Sequence, residues 1–149
     1  MLECSRADPA TPGTAGALTT VMAHPISPGG RPRVLIVEDD ASARGALVEI
    51  LAFEGYTVEA AMDGFSGLAK LAAFHPQIIL CDLGRAGMDG VAFIERARQV
   101  GSRFRLAIMS ASHAVGEVAA SLGAAYLPKP IDIDRLLDVM SQAANQFVS

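Results

Sequence analysis

Tryptophan is absent from this chain, and cysteine and lysine occur only twice each among 149 residues. Each scarcity excludes something. Cys4 sits in a polar leader and Cys81 in an apolar run, so no disulfide framework and no zinc-ligand spacing can be drawn, and a reducing, cytoplasmic compartment is expected. No apolar run approaches the ~18 residues that a membrane span requires, so no membrane insertion is expected. A secretory signal is a poor match, because the start lacks a basic cluster and Thr19 and Thr20 interrupt the apolar piece around Ala17–Ala23. The net charge of -4 removes the basic surface that a nucleic-acid coat needs, so no direct nucleic-acid partner is expected.

What remains is a hydrophobic half of the chain, enough for one domain with a real core. Residues 1–32 stand apart from it, with Pro9, Pro12, Pro25, Pro28 and Pro32, four glycines and many Ser, Thr and Ala. That composition predicts a disordered leader, and Met22 is a second candidate start. Glu3 and Asp8 balance Arg6 and Arg31, so the whole charge of -4 falls in the predicted domain, 33–149.

Within 33–149 strand and helix signals alternate five times. Arg33–Val37 is an apolar run that ends in Glu38-Asp39-Asp40. Ala43, Leu47, Ile50 and Leu51 recur at helical spacing until Gly55. Tyr56–Ala60 suits an edge strand, and Asp63 can cap a helix with Phe65, Leu68, Leu71 and Ala72 on one face, closed by Pro76. Ile78–Leu80, Cys81 and Asp82 read as a strand buried on both faces. A helix after Asp89-Gly90 turns Val91, Ile94 and Ala97 inward and ends near Gly101. Phe104–Met109 is the fourth strand, ended by Ser110, and Val115, Val118, Ala119 and Leu122 mark a short helix stopped by Gly123. Ala124–Leu127 is the fifth strand, running into Pro128-Lys129-Pro130. The last helix, capped by Asp132, directs Ile133, Leu136, Leu137, Met140, Ala144 and Phe147 inward. Such alternation predicts right-handed βαβ units and a doubly wound parallel sheet in the flavodoxin-like order 2-1-3-4-5, with helices on both faces.

That order decides what meets at the carboxyl edge, where open parallel sheets keep their chemistry. Strand one delivers Glu38, Asp39 and Asp40, strand three Asp82, strand four Ser110 and strand five Lys129. Strands one and three are neighbours, so Asp39 and Asp82 come together. Like charges so close repel unless a cation intervenes. Clustered carboxylates with a backbone carbonyl suit a hard ion such as Mg²⁺. A carboxylate, a metal, an ammonium and a hydroxyl together describe an aspartyl-phosphate site. Taken alone, Glu38-Asp39-Asp40 would be a solvated loop or a helix cap; Asp82 and Lys129 at adjacent strand ends reverse that reading. Cys81 reads as a small core hydrophobe, His75 as a helix-end residue, His113 as a rim residue, and Arg96, Arg98, Arg103 and Arg105 as a solvated face.

The segments Val34-Leu35-Ile36-Val37-Glu38-Asp39-Asp40, Asp82-Leu83 with Met88-Asp89-Gly90, and Lys129-Pro130 resemble the receiver domain of two-component response regulators. The resemblance covers 33–149, and the 43-residue step from Asp39 to Asp82 matches it. It implies a phosphorelay switch rather than an enzyme with an external substrate. Asp82 would take a phosphoryl group from a histidine kinase or histidine phosphotransfer protein. Asp39, Asp82 and the Gly84 backbone carbonyl would hold Mg²⁺, with Glu38 reaching the ion directly or through water. Lys129 would pair with the phosphoryl group, its bond to Pro130 cis. Ser110 would be the switch hydroxyl, and Tyr126 the aromatic that moves with it. Output would pass to a separate effector protein, with no fused output domain.

Two departures have consequences. Arg85-Ala86 replaces a frequent Met-Pro, and Gly84 offers no side chain to shield a phosphoryl group, which implies a short-lived phosphoaspartate. Ser110 to Lys129 is 19 residues, about three fewer than the family pattern, which shortens the fourth-helix region on its common output face. Two other functions fit parts of the pattern. A phosphatase of the haloacid dehalogenase kind needs a second aspartate two residues beyond the nucleophile, where this chain has Gly84 or Ala41. A receiver-like binding module without phosphate turnover would not need the full chemical set.

Overall fold

The computed structural model describes residues 32–84, 90–100 and 103–145. The leader up to residue 31, Arg85-Ala86, Met88-Asp89 and Phe147 lie outside the described residues. Five strands and five helices alternate: β1 (Arg33–Val37), α1 (Ala41–Phe53), β2 (Thr57–Ala61), α2 (Gly64–Phe74), β3 (Ile78–Asp82), α3 (Gly90–Gln99), β4 (Arg105–Ser110), α4 (Val115–Ser121), β5 (Ala125–Pro128) and α5 (Ile133–Asn145). All strand pairs are parallel, in the order β2-β1-β3-β4-β5. This is the doubly wound flavodoxin-like sheet that the alternation of elements predicts.

Because strand side chains alternate, β1, β3, β4 and β5 each feed two cores. Val34, Ile36, Ile78, Leu80 and Met109 pack with Leu47 and Leu51 of α1 and Leu136, Met140 and Ala144 of α5. Leu35, Val37, Ile79, Cys81 and Ile108 pack with Leu71 of α2, Phe93, Ile94 and Ala97 of α3, and Ala119 of α4. β3 is buried along its whole length. Burying each large aliphatic side chain contributes about 1.5–3 kcal/mol, which orders the sheet and fixes where its carboxyl edge lies.

Local chemistry sets the helix ends. Asp40 Oδ2 accepts from the Ala43 amide at 2.8 Å, and Asp63 Oδ1 accepts from the Ser66 amide at 2.8 Å. That bond to the Ser66 amide holds the Asp63 carboxyl below its ordinary range. Asp132 Oδ1 accepts from the amides of Asp134 at 2.9 Å and Arg135 at 3.3 Å, as the predicted cap of α5. α2 closes at His75, which sits in the left-handed region at φ 52. The Arg33 guanidinium donates to the carbonyls of Phe74 and His75 and satisfies that helix end.

Several inward assignments are corrected. Phe65 and Ile133 are 64% and 50% exposed, and Ala72 is also exposed. The buried face of α2 is instead Gly64, Gly67 and Leu71. A Cβ at Gly67 would lie 2.9 Å from Phe93 Cε1 and 3.2 Å from Val37 Cγ2, so α2 presses its backbone against the core. Phe93, absent from the expected core, is fully buried on the other side of that contact. Tyr56 is buried ahead of β2 rather than in it, and β2, β4 and β5 each begin one residue later than expected.

Candidate functional site

Register brings the acids together. Val37 of β1 pairs with Cys81 of β3, so the residues that follow, Glu38 and Asp82, stand side by side at the carboxyl edge. Asp82 itself pairs with Met109 of β4, and Ser110 pairs with Pro128 of β5. The Lys129 amide then donates to the Ser110 carbonyl at 2.9 Å. Four adjacent strand ends, those of β1, β3, β4 and β5, therefore deliver a carboxylate pair, a hydroxyl and an ammonium to one rim.

Lys129 Nζ donates to Glu38 Oε1 at 3.0 Å and to Asp82 Oδ2 at 3.1 Å. The other Asp82 oxygen, Oδ1, accepts from the Gly84 amide at 3.0 Å. Both oxygens of the candidate nucleophile are thus held by named donors. The Glu38 side chain is wholly buried; its second oxygen accepts from the Asp40 amide at 3.2 Å. Burial pushes the Glu38 carboxyl above its ordinary range, against the lowering effect of the bonds from Lys129 and Asp40. Desolvation lowers Lys129, but hydrogen bonds to Glu38 and Asp82 outweigh it and hold the ammonium above its ordinary value.

Asp39 is exposed, on the loop between β1 and α1. Ligand oxygens of Glu38, Asp39 and Asp82 lie within 4.8 Å of one another. Three carboxylates against the Lys129 ammonium leave the group net negative, and all its donors are hard oxygens. That donor set fits a divalent ion such as Mg²⁺. A cleft of about 300 Å³, open to solvent, runs from these acids to Met62, Asp63 and Gly64 at the start of α2. Gly90 lines it too, and a Cβ there would lie 3.3 Å from Leu83 Cα and 3.4 Å from the Asp82 carbonyl oxygen. A side chain at this position would therefore press the start of α3 against the acidic strand end.

The switch candidates lie on the far side. Ser110 is buried, and its Oγ accepts from the Ser112 amide at 3.0 Å. The Tyr126 hydroxyl donates to the carbonyls of Ser110 at 3.3 Å and Ser112 at 3.1 Å. Tyr126 is half-buried and belongs to the loop after β4 as much as to the core. The Lys129–Pro130 peptide is cis, as expected. Asp40 caps α1 and stays outside the acidic group.

One residue escaped the sequence reading. Arg44, in the first turn of α1, donates through Nη1 to the carbonyls of Glu38 at 2.9 Å and Asp39 at 3.3 Å. The available signal was positional: side chains in a helix lean toward its N-terminus, and an arginine four residues after a cap lies over the preceding loop.

The model of the response regulator receiver domain matches residues 34–141. Response regulator MprA of Mycobacterium ulcerans is 35% identical over 108 residues, covering 70% of this chain and 47% of that protein. The chain thus spans about half the length of the curated relatives it matches. Among solved structures, chemotaxis protein CheY4 of Vibrio cholerae superposes with a TM-score of 0.70 at 26% identity, over 76% of this chain and 99% of that one. A CheY-like receiver domain protein of Methanospirillum hungatei gives 0.71 at 28% identity, over 78% and 96%. No described helix is long and apolar enough to cross a membrane.

Proposed function

This chain belongs to the response regulator receiver family, and on that premise we propose that it is a phosphorelay switch whose phosphoacceptor is Asp82. The observation that carries the reading is the Lys129 ammonium bonded at once to Asp82 and Glu38, with Asp39 beside them. The donor is a phosphohistidine on a histidine kinase or a histidine phosphotransfer protein. One Asp82 oxygen attacks phosphorus; the P–O bond forms as the P–N bond breaks, and the imidazole leaves and takes up a proton. Hydrolysis of the acyl phosphate returns the carboxylate and inorganic phosphate. The work is positioning and charge neutralisation.

Asp39, Asp82 and the Gly84 carbonyl would hold Mg²⁺, with Glu38 reaching it directly or through water. The ion would supply charge compensation for the crowded carboxylates and the phosphoryl oxygens. Lys129 already lies 3.1 Å from Asp82 and turns to the phosphoryl group once it is attached. Ser110 exchanges its bond with the Ser112 amide for one to the same group, and Tyr126 follows through its bonds to the loop. The switched surface then docks an effector, in the cytoplasm. Residues 33–149 form the receiver unit, and 1–32 a leader.

Among the described residues a Cβ at Gly84 would meet only Asp82 Oδ1, at 3.5 Å, and Gly84 itself offers no side chain to shield the acyl phosphate from water. The adduct is therefore short-lived, and a half-life of many hours for the purified phosphoprotein would refute this. The reading as a whole is tested by adding Mg²⁺ and acetyl phosphate and weighing the intact protein. A phosphate adduct that is lost in Asp82→Ala supports it. No adduct and no Mg²⁺ binding would favour a binding module without turnover.

A further inference from the structure

We propose that the outer face of α2 docks a second copy of this chain, in an antiparallel two-fold pair centred on Ala69. The proposal stands apart from the phosphorelay reading and involves neither Mg²⁺ nor phosphate. α2 runs from Gly64 to Phe74 with Lys70 as its one charged residue. Gly64, Gly67 and Leu71 turn to the core, so Phe65, Ala69, Ala72 and Ala73, at i, i+4, i+7 and i+8, form the opposite stripe. All four are exposed, Phe65 by 64%, and Met62 just ahead of the helix is 57% exposed. Lys70 lies to the side of the stripe, where its Nζ meets Glu59 Oε1 of β2 at 3.2 Å. The stripe itself carries no charge.

The other four described helices differ. Exposed charges stand on each: Glu49 on α1, Arg98 on α3, Glu117 on α4 and Asp138 on α5. Charge on the outer side is what keeps a surface helix in water, and a helix that is apolar on both sides is built to be covered. Charge and shape both select a second copy as the cover. α1 also presents an aromatic, Phe53, which is 89% exposed, but Glu49 lies one turn before it on the same side. Two copies of α1 would therefore bring like charges together, a penalty that two copies of α2 escape. The α2 stripe is large at its N-terminal end and small at its C-terminal end. In an antiparallel pair about Ala69, Phe65 of each copy packs over Ala72 and Ala73 of the other. A parallel pair would instead stack Phe65 on Phe65 and hold the alanines apart. The face is thus complementary to itself through a two-fold axis, and Ala69 on that axis lets the helices approach closely. α2 has eleven residues, so its length is about 16 Å. A contact of that length falls below the ~1,600 Å² of a standard interface, so the dimer is weak, dissociating on the order of 100 µM.

The experiment uses the full chain without Mg²⁺ or phosphodonor. Sedimentation equilibrium should show monomer–dimer exchange that depends on concentration between about 10 µM and 1 mM. Phe65→Ser acts twice per dimer and should weaken association at least about tenfold. Ala69→Arg sets two like charges at the axis and should abolish it. Both positions are exposed, so both variants should keep the native thermal midpoint. Ala69→Cys in a Cys4→Ser background should cross-link to its own copy under mild oxidation, whereas Glu49→Cys in the same background should not. Cys81 is buried and stays out of the exchange. A chain that remains monomeric at ~1 mM overturns the proposal, and this is the result expected if another occupant covers the stripe. A dimer that survives both F65S and A69R, or equal cross-linking of A69C and E49C, also overturns it. If A69R does not fold, F65S and A69C decide.

Discussion

The carboxyl edge of the sheet is built in two different ways. At its β1–β3 end, Glu38, Asp82 and Lys129 are tied by charge-assisted bonds of 3.0 and 3.1 Å, and α1 behind them has thirteen residues and an aspartate cap. At its β4–β5 end, Ser110, Ser112 and Tyr126 are joined by neutral bonds to backbone groups, and α4 has seven residues and no side-chain cap. Charge-assisted bonds are roughly twice as strong as neutral ones. A switch needs one half that holds the reacting groups still and another whose contacts a new charge can outcompete. The difference between the two ends provides for both, and it can be attacked from either side.

The largest effect is expected for Lys129→Met, which leaves the Glu38 carboxylate buried without its cation. Removing one partner of a buried pair costs about 3–5 kcal/mol; partial exposure of Lys129 brings this to about 2–3 kcal/mol at pH 8. Because burial already raises the Glu38 pKa, the folded variant binds a proton more readily than its unfolded chain. The loss should therefore be greatest at high pH and shrink as pH falls and Glu38 becomes neutral. Denaturant titration at several pH values checks this, and a pH-independent deficit would break the account. In the native protein the sign is that of a base with a raised pKa. The pairs of Lys129 contribute fully below the unfolded lysine value near pH ~10.4 and are lost as pH rises through the folded value.

A smaller effect is expected for Asp40→Ala, which makes the start of α1 as bare as that of α4. Loss of an N-cap costs about 1 kcal/mol, measured as a shift of the urea midpoint. The smallest is expected for Tyr126→Phe, which removes a half-exposed hydroxyl from two carbonyls. Stability should fall by only about 0.5 kcal/mol, while the amides of Ser112 and Val115 exchange several-fold faster than those of α1. If loop exchange in this variant matches that of α1, the two ends are equally stiff and the contrast fails.

How far the sequence reveals this arrangement also differs between regions. Strand order, the meeting of Asp39 with Asp82 and the place of Lys129 follow from alternating elements and from acids at strand ends, because register in a parallel sheet is set by which runs are apolar. The faces of α2 and α5 do not follow so easily. A search for apolar residues at helical spacing selects Phe65 and Ile133, whereas the core takes Gly64 and Gly67 against Phe93. Glycine marks a close approach of backbones, and hydropathy gives it no weight. Arg44 was hidden for another reason: its partners are carbonyls, which carry no residue identity. Likewise, nothing in a residue list states that Ser110 Oγ is engaged by the Ser112 amide.

The central claim is that this edge makes Asp82, and no neighbouring acid, the group that takes up phosphate. Mapping the modified peptide after treatment with acetyl phosphate and Mg²⁺ tests it most directly. The account predicts an acyl phosphate on Asp82 alone, formed only with the divalent ion present. Phosphate on Asp39, Glu38 or Ser110, or the same labelling without Mg²⁺, would contradict it.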